Sequence, residues 1–216
     1  MGTPVLILGK SGSGKTSSLR NFNKNEIGMV NVLGKPLPFK NTFKTLDTDD
    51  YSKIKQVLLK SQTDTLVIDD AGYLITNQFM RGHGQGKGNA VFQLYNEMAD
   101  NFWELIRFIQ IQLPKNKIVY MLMHEDKNDI GDVKPKTIGK MLDEKVCVEG
   151  LFTIVLRSMK LENNYVFKTQ TDGFDVTKTP MGLFKEEIIE NDLKIVNETI
   201  KEYYNLEGED KNEKDQ

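Results

Sequence analysis

A glycine-rich octapeptide near the start of the sequence constrains the fold more than any other feature. Residues 9–16 read Gly-Lys-Ser-Gly-Ser-Gly-Lys-Thr and directly follow an apolar run at 5–8. They fit the phosphate-binding loop pattern, in which a glycine, four free positions and Gly-Lys-Ser/Thr join a buried strand to a helix. Residues 17–22 can continue as that helix. This context on both sides favours a nucleoside triphosphate site over a chance glycine-rich turn.

Each residue type in this loop has a role in binding phosphate. Glycine permits positive φ angles and lets main-chain N–H groups approach phosphate oxygens closely. Lys15 is expected to reach the β- and γ-phosphates and Thr16 to ligate Mg²⁺, while a helix that begins there directs its positive dipole end at the anion. The predicted cofactors are therefore ATP and Mg²⁺. The predicted nucleotide-binding residues are Gly9, Lys10, Ser11, Gly12, Ser13, Gly14, Lys15, Thr16 and Ser17.

A second apolar run, at 65–68, ends in the pair Asp69 and Asp70. A buried parallel strand that ends in this way delivers a carboxylate to the Mg²⁺ of a bound nucleotide. Many strands end in aspartate at an ordinary turn, so the interpretation depends on the phosphate-binding loop. With that loop present, we predict that Asp69 and Thr16 are the metal ligands.

The remaining pattern predicts an α/β fold with a mostly parallel sheet. Further strands are expected at 27–32, 43–46 and 117–123, helices at 51–59, 90–113 and about 193–204, and an antiparallel edge hairpin at 151–158 and 165–170. Two segments, 81–89 and 125–140, lack apolar periodicity and are predicted to be mobile surface loops. The first of them contains four glycines, two fixed positive charges and no acid, so it is either a flexible connector or a loop for a phosphodiester backbone.

His124 directly follows the strand expected at 117–123. In a parallel sheet with a phosphate-binding loop, the carboxyl ends of neighbouring strands all face the nucleotide. His124 would then lie near the γ-phosphate, where a polar side chain can report whether that phosphate is present. The alternative is a histidine that merely makes hydrogen bonds at the end of its strand.

Length and composition limit the other possibilities. The 216 residues favour one domain, over 1–206, followed by a tail at 207–216 whose five acids and two lysines predict a solvated, disordered end. The longest apolar run, at 118–123, is too short to cross a bilayer, and the early loop leaves no room for a signal peptide. A single cysteine, Cys147, fits a reducing compartment. We therefore expect a cytoplasmic protein without a membrane partner.

The order of these features over residues 3–206 resembles a RecA-like ATPase core. It is similar in particular to the small phage-encoded ATPases (AAA domain) of that superfamily that act in single-strand annealing and recombination. The resemblance implies a three-layer P-loop NTPase with helices on both sheet faces, located in the host cytoplasm, and DNA-stimulated ATP hydrolysis. It also implies that the segments 81–89 and 125–140 approach single-stranded DNA, that the protein is a homo-oligomer, and that a single-strand-binding or other recombination protein is a candidate partner.

The resemblance also suggests catalytic residues, namely Lys15, Asp70, His124 at the sensor position, and Lys178. The RadA branch carries a Lys-Asn-Arg-Phe-Gly motif that reaches the nucleotide of the neighbouring subunit, whereas residues 178–182 here read Lys-Thr-Pro-Met-Gly and lack the arginine. The general base stays open. Asp70 would serve as in the wider ATPase class, Asp49 or Asp50 would correspond to the RecA glutamate, and Glu125 is a further candidate.

Two functions of other classes also fit the loop. Nucleoside and nucleotide kinases share it, but they close an arginine-bearing lid over the transferred phosphate, and the four arginines here, at 20, 81, 107 and 157, are scattered. A DNA-binding module that uses ATP only to assemble, without hydrolysis, is the other alternative.

Overall fold

The computed structural model describes residues 1–40, 43–84, 88–128 and 131–206. The strands are β1 (Thr3–Gly9), β2 (Ile27–Asn31), β3 (Thr45–Asp47), β4 (Thr65–Asp69), β5 (Ile118–Lys127), β6 (Val133–Pro135), β7 (Ile154–Leu161), β8 (Asn164–Lys168) and β9 (Ile188–Glu190). The α-helices are α1 (Tyr51–Lys60), α2 (Tyr73–Gly82), α3 (Asn89–Gln112) and α4 (Leu193–Tyr203).

In the described residues, all nine strands belong to one sheet, in the order β3-β2-β4-β5-β1-β7-β8-β9, with β6 paired to β5 off this path. The pairs from β3 across to β7 are parallel, whereas β7-β8, β8-β9 and β5-β6 are antiparallel. The mostly parallel sheet and its antiparallel hairpin are thus confirmed. The hairpin is not the outermost element, because β9 pairs outside it.

Side chains of the buried strands alternate between the two faces of the sheet, and each face is packed in a hydrophobic core. In β1, Leu6 and Leu8 face a cluster that includes residues of α1, α2 and α3, whereas Val5 and Ile7 face the side covered by α4. Because successive side chains of a strand point to opposite faces, a strand buried on both sides must be apolar throughout. The helices on both faces confirm the predicted three-layer α/β architecture.

The position of β5 determines which strand ends meet. It lies between β1 and β4, with Gly9 in register with His124 and Ile68 in register with Met121. The carboxyl end of β5 therefore lies between the glycine-rich loop that follows β1 and the aspartate pair that follows β4.

The prediction of a helix directly after the glycine-rich loop is wrong. Residues Thr16–Leu19 form only one 3₁₀ turn. Ser18 is fully buried, and its hydroxyl donates to the Lys15 carbonyl oxygen at 2.6 Å, which offers the backbone a local alternative to a helix. Without a full helix, the dipole contributes less to anion binding here than predicted, and the loop amides and Lys15 contribute more.

Residues 125–140 are not a loop throughout. The strand β5 continues to Lys127 and pairs with β6 over Glu125↔Pro135 to Lys127↔Val133. The polar residues of this extension hid it from the apolar pattern; Glu125, for example, accepts two hydrogen bonds from the guanidinium of Arg157, a residue distant in sequence. Residues 129–130 lie outside the described residues.

The loop predicted at 81–89 is also shorter than expected. Arg81 and Gly82 end α2, a helix that the sequence pattern did not indicate, and Asn89 begins α3. A Cβ at Gly82 would lie 2.6 Å from a Leu94 methyl, so glycine allows α2 and α3 to pack closely. Residues 85–87 and the acidic tail at 207–216 lie outside the described residues. No helix in the described ranges is long and apolar enough to cross a membrane.

Candidate nucleotide-binding site

The glycine-rich loop is held open at the carboxyl end of β1. Gly12 and Gly14 have φ angles of 75° and 98°, in the left-handed region that glycine adopts without strain. A Cβ at Gly9 would lie 2.5 Å from the Ser158 carbonyl oxygen, so this position also requires glycine. In the described chain, the amides of Gly12, Gly14 and Lys15 donate to no main-chain carbonyl, which leaves them available for an anion.

The Lys15 ammonium is buried beneath this loop. Its Nζ donates to the Gly9 and Lys10 carbonyl oxygens at 2.8 and 2.9 Å. An ammonium has three donors, so one is left for a phosphate oxygen. Burial lowers the pKa of Lys15 to about 8, against a partial opposing effect of Asp70 and Asp69. A polyanion bound beside it would favour the charged form.

Thr16 and Asp69 are in direct contact. The Thr16 hydroxyl lies 3.0 and 3.1 Å from the two Asp69 carboxylate oxygens. Burial, followed by the charge of Asp70, raises the pKa of Asp69 to about 6. A buried carboxylate beside a hydroxyl is the kind of oxygen pair that Mg²⁺ accepts when phosphate and water supply its other ligands. The two residues therefore fit the predicted metal ion.

Asp70 has a strained backbone and two cationic or polar neighbours. Its φ is 56°, in the left-handed region that is uncommon outside glycine and that aspartate adopts more readily than most residues. One carboxylate oxygen lies 2.6 Å from Lys35 Nζ and the other lies 3.5 Å from His124 Nε2. Burial alone would raise the pKa of Asp70, but the hydrogen bonds from His124 and Lys35 outweigh it and lower that pKa below its usual value.

One cavity of about 340 Å³ joins these groups. Its lining comprises Ser11, Gly12, Ser13, Gly14, Lys15, Thr16, Ser17, Lys35, Pro36, Leu37, Pro38, Asp69, Asp70, His124 and Tyr165. The structure thus brings together most of the residues expected at the nucleotide. Gly9 and Lys10 contribute differently, because their carbonyl oxygens hold the Lys15 ammonium.

The other candidates for a general base lie elsewhere and are occupied. Asp49 accepts hydrogen bonds from Asn77 and Arg81 at 2.8 and 2.5 Å. Asp50 is the N-cap of α1 and accepts from the Ser52 and Lys53 amides. Glu125 is paired with Arg157. None of the three lines the cavity, so Asp70 is the candidate that the fold places beside the loop.

Lys178 is also absent from this cavity lining. Its main chain forms an antiparallel bridge with Val155 of β7, with N–O distances of 2.8 and 3.0 Å. A role at the nucleotide of the same chain is therefore not supported by its position. A role at a neighbouring subunit stays a prediction.

Residues distant in sequence support the glycine-rich loop from the side opposite the cavity, and no local sequence pattern marks them for this role. Ser158 donates to the Ser13 carbonyl oxygen at 2.8 Å, and Asn191 donates to the Ser158 hydroxyl at 3.1 Å. Arg20, just after the loop, donates to the Asn191 carbonyl oxygen at 2.5 Å. We call Ser158, Asn191 and Arg20 the loop support.

Two further cavity residues, Lys35 and Tyr165, were also missed by the sequence analysis. Lys35 follows β2, a neighbour of β4, and could have been found from the rule that the carboxyl ends of parallel strands share one edge. Tyr165 belongs to β8 and contacts the loop at Gly14, where an added Cβ would lie 2.9 Å from the ring. That contact depends on tertiary packing alone.

The sheet, the open glycine-rich loop and the contact of Thr16 with Asp69 define a P-loop nucleotide-binding protein. The family model described as an AAA domain matches residues 1–181. The chain therefore belongs to this family of AAA-type P-loop ATPases. Among curated proteins, none matches the chain.

Proposed function

We propose that this protein hydrolyses ATP to ADP and phosphate, with Asp70 as the residue that positions the attacking water. The observation that carries the proposal is the placement of Asp70 in the same cavity as Lys15, Thr16 and Asp69. Asp69 and Thr16 would hold Mg²⁺, while Asp70, which has a left-handed backbone, contacts His124 and Lys35. The adjacent carboxylates thus have separate neighbours and separate proposed roles.

The chemistry follows from what each group can donate or accept. The water oxygen forms a bond to the γ-phosphorus as the bond to the β,γ-bridging oxygen breaks, and the electron pair of the broken bond stays on ADP. Asp70 accepts a hydrogen bond from the water and takes its proton, which then passes to phosphate or solvent. Lys15 and the loop amides donate to the phosphate oxygens, where negative charge is spread in the transition state. Bound Mg²⁺ supplies further charge neutralisation.

The lowered pKa of Asp70 is consistent with this role at neutral pH. A carboxylate that stays ionised can accept a hydrogen bond from water, although it is a weak base. Phosphoryl transfer depends on positioning and charge neutralisation more than on strong bases. A well-placed, ionised Asp70 therefore suffices.

We further propose that single-stranded DNA stimulates this hydrolysis. The support is the continuity of β5, because the strand that carries His124 at the nucleotide continues into the hairpin with β6. The Lys136 amide donates to the His124 carbonyl oxygen at 2.8 Å, and the side chains of Lys127 and Lys136 are exposed. DNA phosphates on these lysines would act on the residue beside the γ-phosphate through one strand.

The biological setting is proposed from the resemblance. A phage-type role in annealing, recombination or repair in the host cytoplasm follows from it, as do a homo-oligomer, in which Lys178 reaches the neighbouring nucleotide, and a single-strand-binding or other recombination protein as partner. The AAA domain supports the ATPase class for this role and is compatible with several cellular outputs.

Turnover of ATP, measured with and without single-stranded DNA at low salt, tests these proposals. We expect hydrolysis by the wild type, stimulation by DNA that fades as salt rises, and loss of turnover in Lys15→Ala and Asp70→Asn. Binding of ATP without turnover would instead indicate the non-hydrolysing module. Transfer of labelled phosphate to an added nucleoside would indicate a kinase, and equal rates with and without DNA would contradict the DNA proposal alone.

A further inference from the structure

Lys35 lies at the nucleotide cavity but belongs to none of its recognised motifs. It follows β2 and lines the cavity together with the next residues, Pro36, Leu37 and Pro38. Its side chain is 60% exposed, yet its Nζ lies 2.6 Å from an Asp70 carboxylate oxygen. The hydrogen bond with Asp70 raises the pKa of Lys35, so it carries a full positive charge at neutral pH.

The backbone around Lys35 is fixed, although the side chain is not enclosed. The Asn31 side-chain amide donates to the Lys35 carbonyl oxygen at 2.7 Å, and Gly34 provides the left-handed turn with a φ of 62°. Asn31 is itself in register with Asp69 across the β2-β4 pair. The backbone of Lys35 is therefore anchored to β2, the strand next to the one that carries the predicted metal ligand, while its side chain is largely exposed.

The arginines of this chain cannot supply a second cation to the cavity. Each is engaged elsewhere: Arg20 with the Asn191 carbonyl, Arg81 with Asp49, Arg107 with Gln110, and Arg157 with Glu125. None of the four lines the cavity. In the described lining, Lys15 and Lys35 are the two lysines, and Lys15 is engaged by the loop carbonyls.

We propose that Lys35 is a further catalytic residue, which leaves Asp70 when ATP binds and donates to the γ-phosphate oxygens as charge develops there. This inference rests on the proposed ATPase function. Phosphoryl transfer is accelerated by a cation at those oxygens, which other P-loop enzymes obtain from an arginine. Here the same chain would provide it.

The Lys35–Asp70 pair would also make the site respond to the γ-phosphate. At 2.6 Å, the charges of Lys35 and Asp70 neutralise each other. The γ-phosphate competes with Asp70 for the ammonium, and the released carboxylate oxygen becomes free to accept the hydrogen bond from water. A nucleoside diphosphate lacks the competing group, so the pair would stay closed. Binding of the correct nucleotide would thus assemble both the cation and the water-positioning carboxylate.

The test compares Lys35→Gln with the wild type and with Lys53→Gln, a matched change on the exposed face of α1. We expect Lys35→Gln to lower kcat at least about 100-fold, the scale seen on losing one transition-state donor, while the Kd for ADP changes less than about threefold. Lys35→Arg should restore at least a tenth of the wild-type rate, since it keeps the charge. The second measurement is the affinity for ADP with aluminium fluoride, which mimics the transferred phosphoryl group. Lys35→Gln should lose most of the gain over ADP alone.

Each outcome bears on the proposal. If the wild type is active and Lys35→Gln has the same rate and the same affinity for ADP with aluminium fluoride, the proposed role of Lys35 is wrong. The ATPase function would then still hold. A rise in KM with an unchanged kcat would also overturn it, because Lys35 would then act only in ground-state binding. A wild type without any turnover would overturn both proposals. If Lys35→Gln fails to fold, an inactive but ADP-binding Lys35→Arg would contradict the charge-based role.

Discussion

The hydroxyl of Thr16 donates toward both carboxylate oxygens of Asp69, at 3.0 and 3.1 Å, across 53 positions of sequence. This contact joins the end of the glycine-rich loop to the end of β4. It places the two proposed oxygen ligands of Mg²⁺ side by side, so binding of the ion would require little reorganisation of these side chains.

Asp69→Asn should therefore weaken Mg²⁺-dependent ATP binding about tenfold or more, and leave metal-free binding less affected, because the amide keeps the shape but loses the charge. Titrations with and without Mg²⁺ measure this, with Asp100→Asn on the exposed surface of α3 as control. The raised pKa of Asp69, about 6, adds a pH effect: as pH falls through 6 the carboxylate protonates and the Mg²⁺ effect should fade. A constant Mg²⁺ effect down to pH 5 would contradict the assignment.

Lys15 should couple ATP binding to proton uptake. Its pKa of about 8 lies below the ordinary 10.5, so above pH 8 part of the protein must gain a proton to bind a triphosphate. We expect uptake to approach one proton per ATP by pH 9 and the affinity to fall toward tenfold per pH unit. Calorimetry in buffers with different ionisation enthalpies measures the uptake. Lys15→Met should abolish it, and an equal uptake in that variant would assign the proton elsewhere.

The lowered pKa of Lys15 also makes the free energy of unfolding depend on pH. Because the pKa of Lys15 is lower in the folded protein than in the unfolded chain, the unfolded state binds more protons between about pH 8 and 10.5. The contribution of Lys15 to the free energy of unfolding should thus rise with pH across this window. Denaturant unfolding at pH 8 and pH 10, wild type against Lys15→Met, isolates that contribution. A difference that falls with pH would contradict the sign.

The loop support should matter for affinity as well as stability. Ser158→Ala removes the donor to the Ser13 carbonyl and leaves Asn191 without its buried acceptor, a loss of about 1–3 kcal/mol. The melting temperature should fall by several degrees and ADP binding by about tenfold, because the loop amides lose their fixed positions. Asn96→Ala, on the exposed face of α3, is the control. Unchanged ADP affinity in a destabilised Ser158→Ala would limit the support to folding.

Lys178 can be tested by mixing two inactive variants. Lys15→Ala disables its own nucleotide site, whereas Lys178→Ala would disable the site of its neighbour. If Lys178 acts between subunits, mixed oligomers contain some sites with an intact Lys15 and a Lys178 from the neighbour, and ATP turnover should partly return. Lys185→Ala in place of Lys178→Ala is the control, since Lys185 is exposed on the same C-terminal part of the chain. Activity no greater than the sum of the two variants would contradict this role.

The sequence predicts best where local pattern and burial agree. The apolar runs before Gly9 and Asp69 are central strands because both of their faces are covered, and this burial is what makes the runs continuous. The short 3₁₀ turn after Lys15 was not predicted, since the competition of the Ser18 hydroxyl with helical bonding depends on its burial. The pairing of β6 with β5 was missed for the opposite reason, because polar residues there pair with partners distant in sequence.

The residues of the candidate site also differ in how far the sequence predicts them. Lys15, Thr16 and Asp69 belong to local motifs, so their roles can be inferred from spacing. Lys35 reaches Asp70 across 35 positions, and Asn191 reaches Ser158 and Arg20 across 33 and 171 positions, so both contacts exist only through the fold. No local pattern marks a lysine or an asparagine for such a task. Contacts of this kind become visible only when the strand order is known.

The loop support has a practical meaning for where the chain can be cut. Asn191 and Asp192 connect β9 to α4, and they bond to Ser158, Arg20 and Asn21 around the nucleotide loop. A shortened protein that stops at about residue 182 would retain every motif residue and Ser158, but it would lose β9, α4 and Asn191, which donates to Ser158 behind Ser13. We expect such a fragment to bind nucleotide weakly. A fusion protein that contains this domain should therefore include α4.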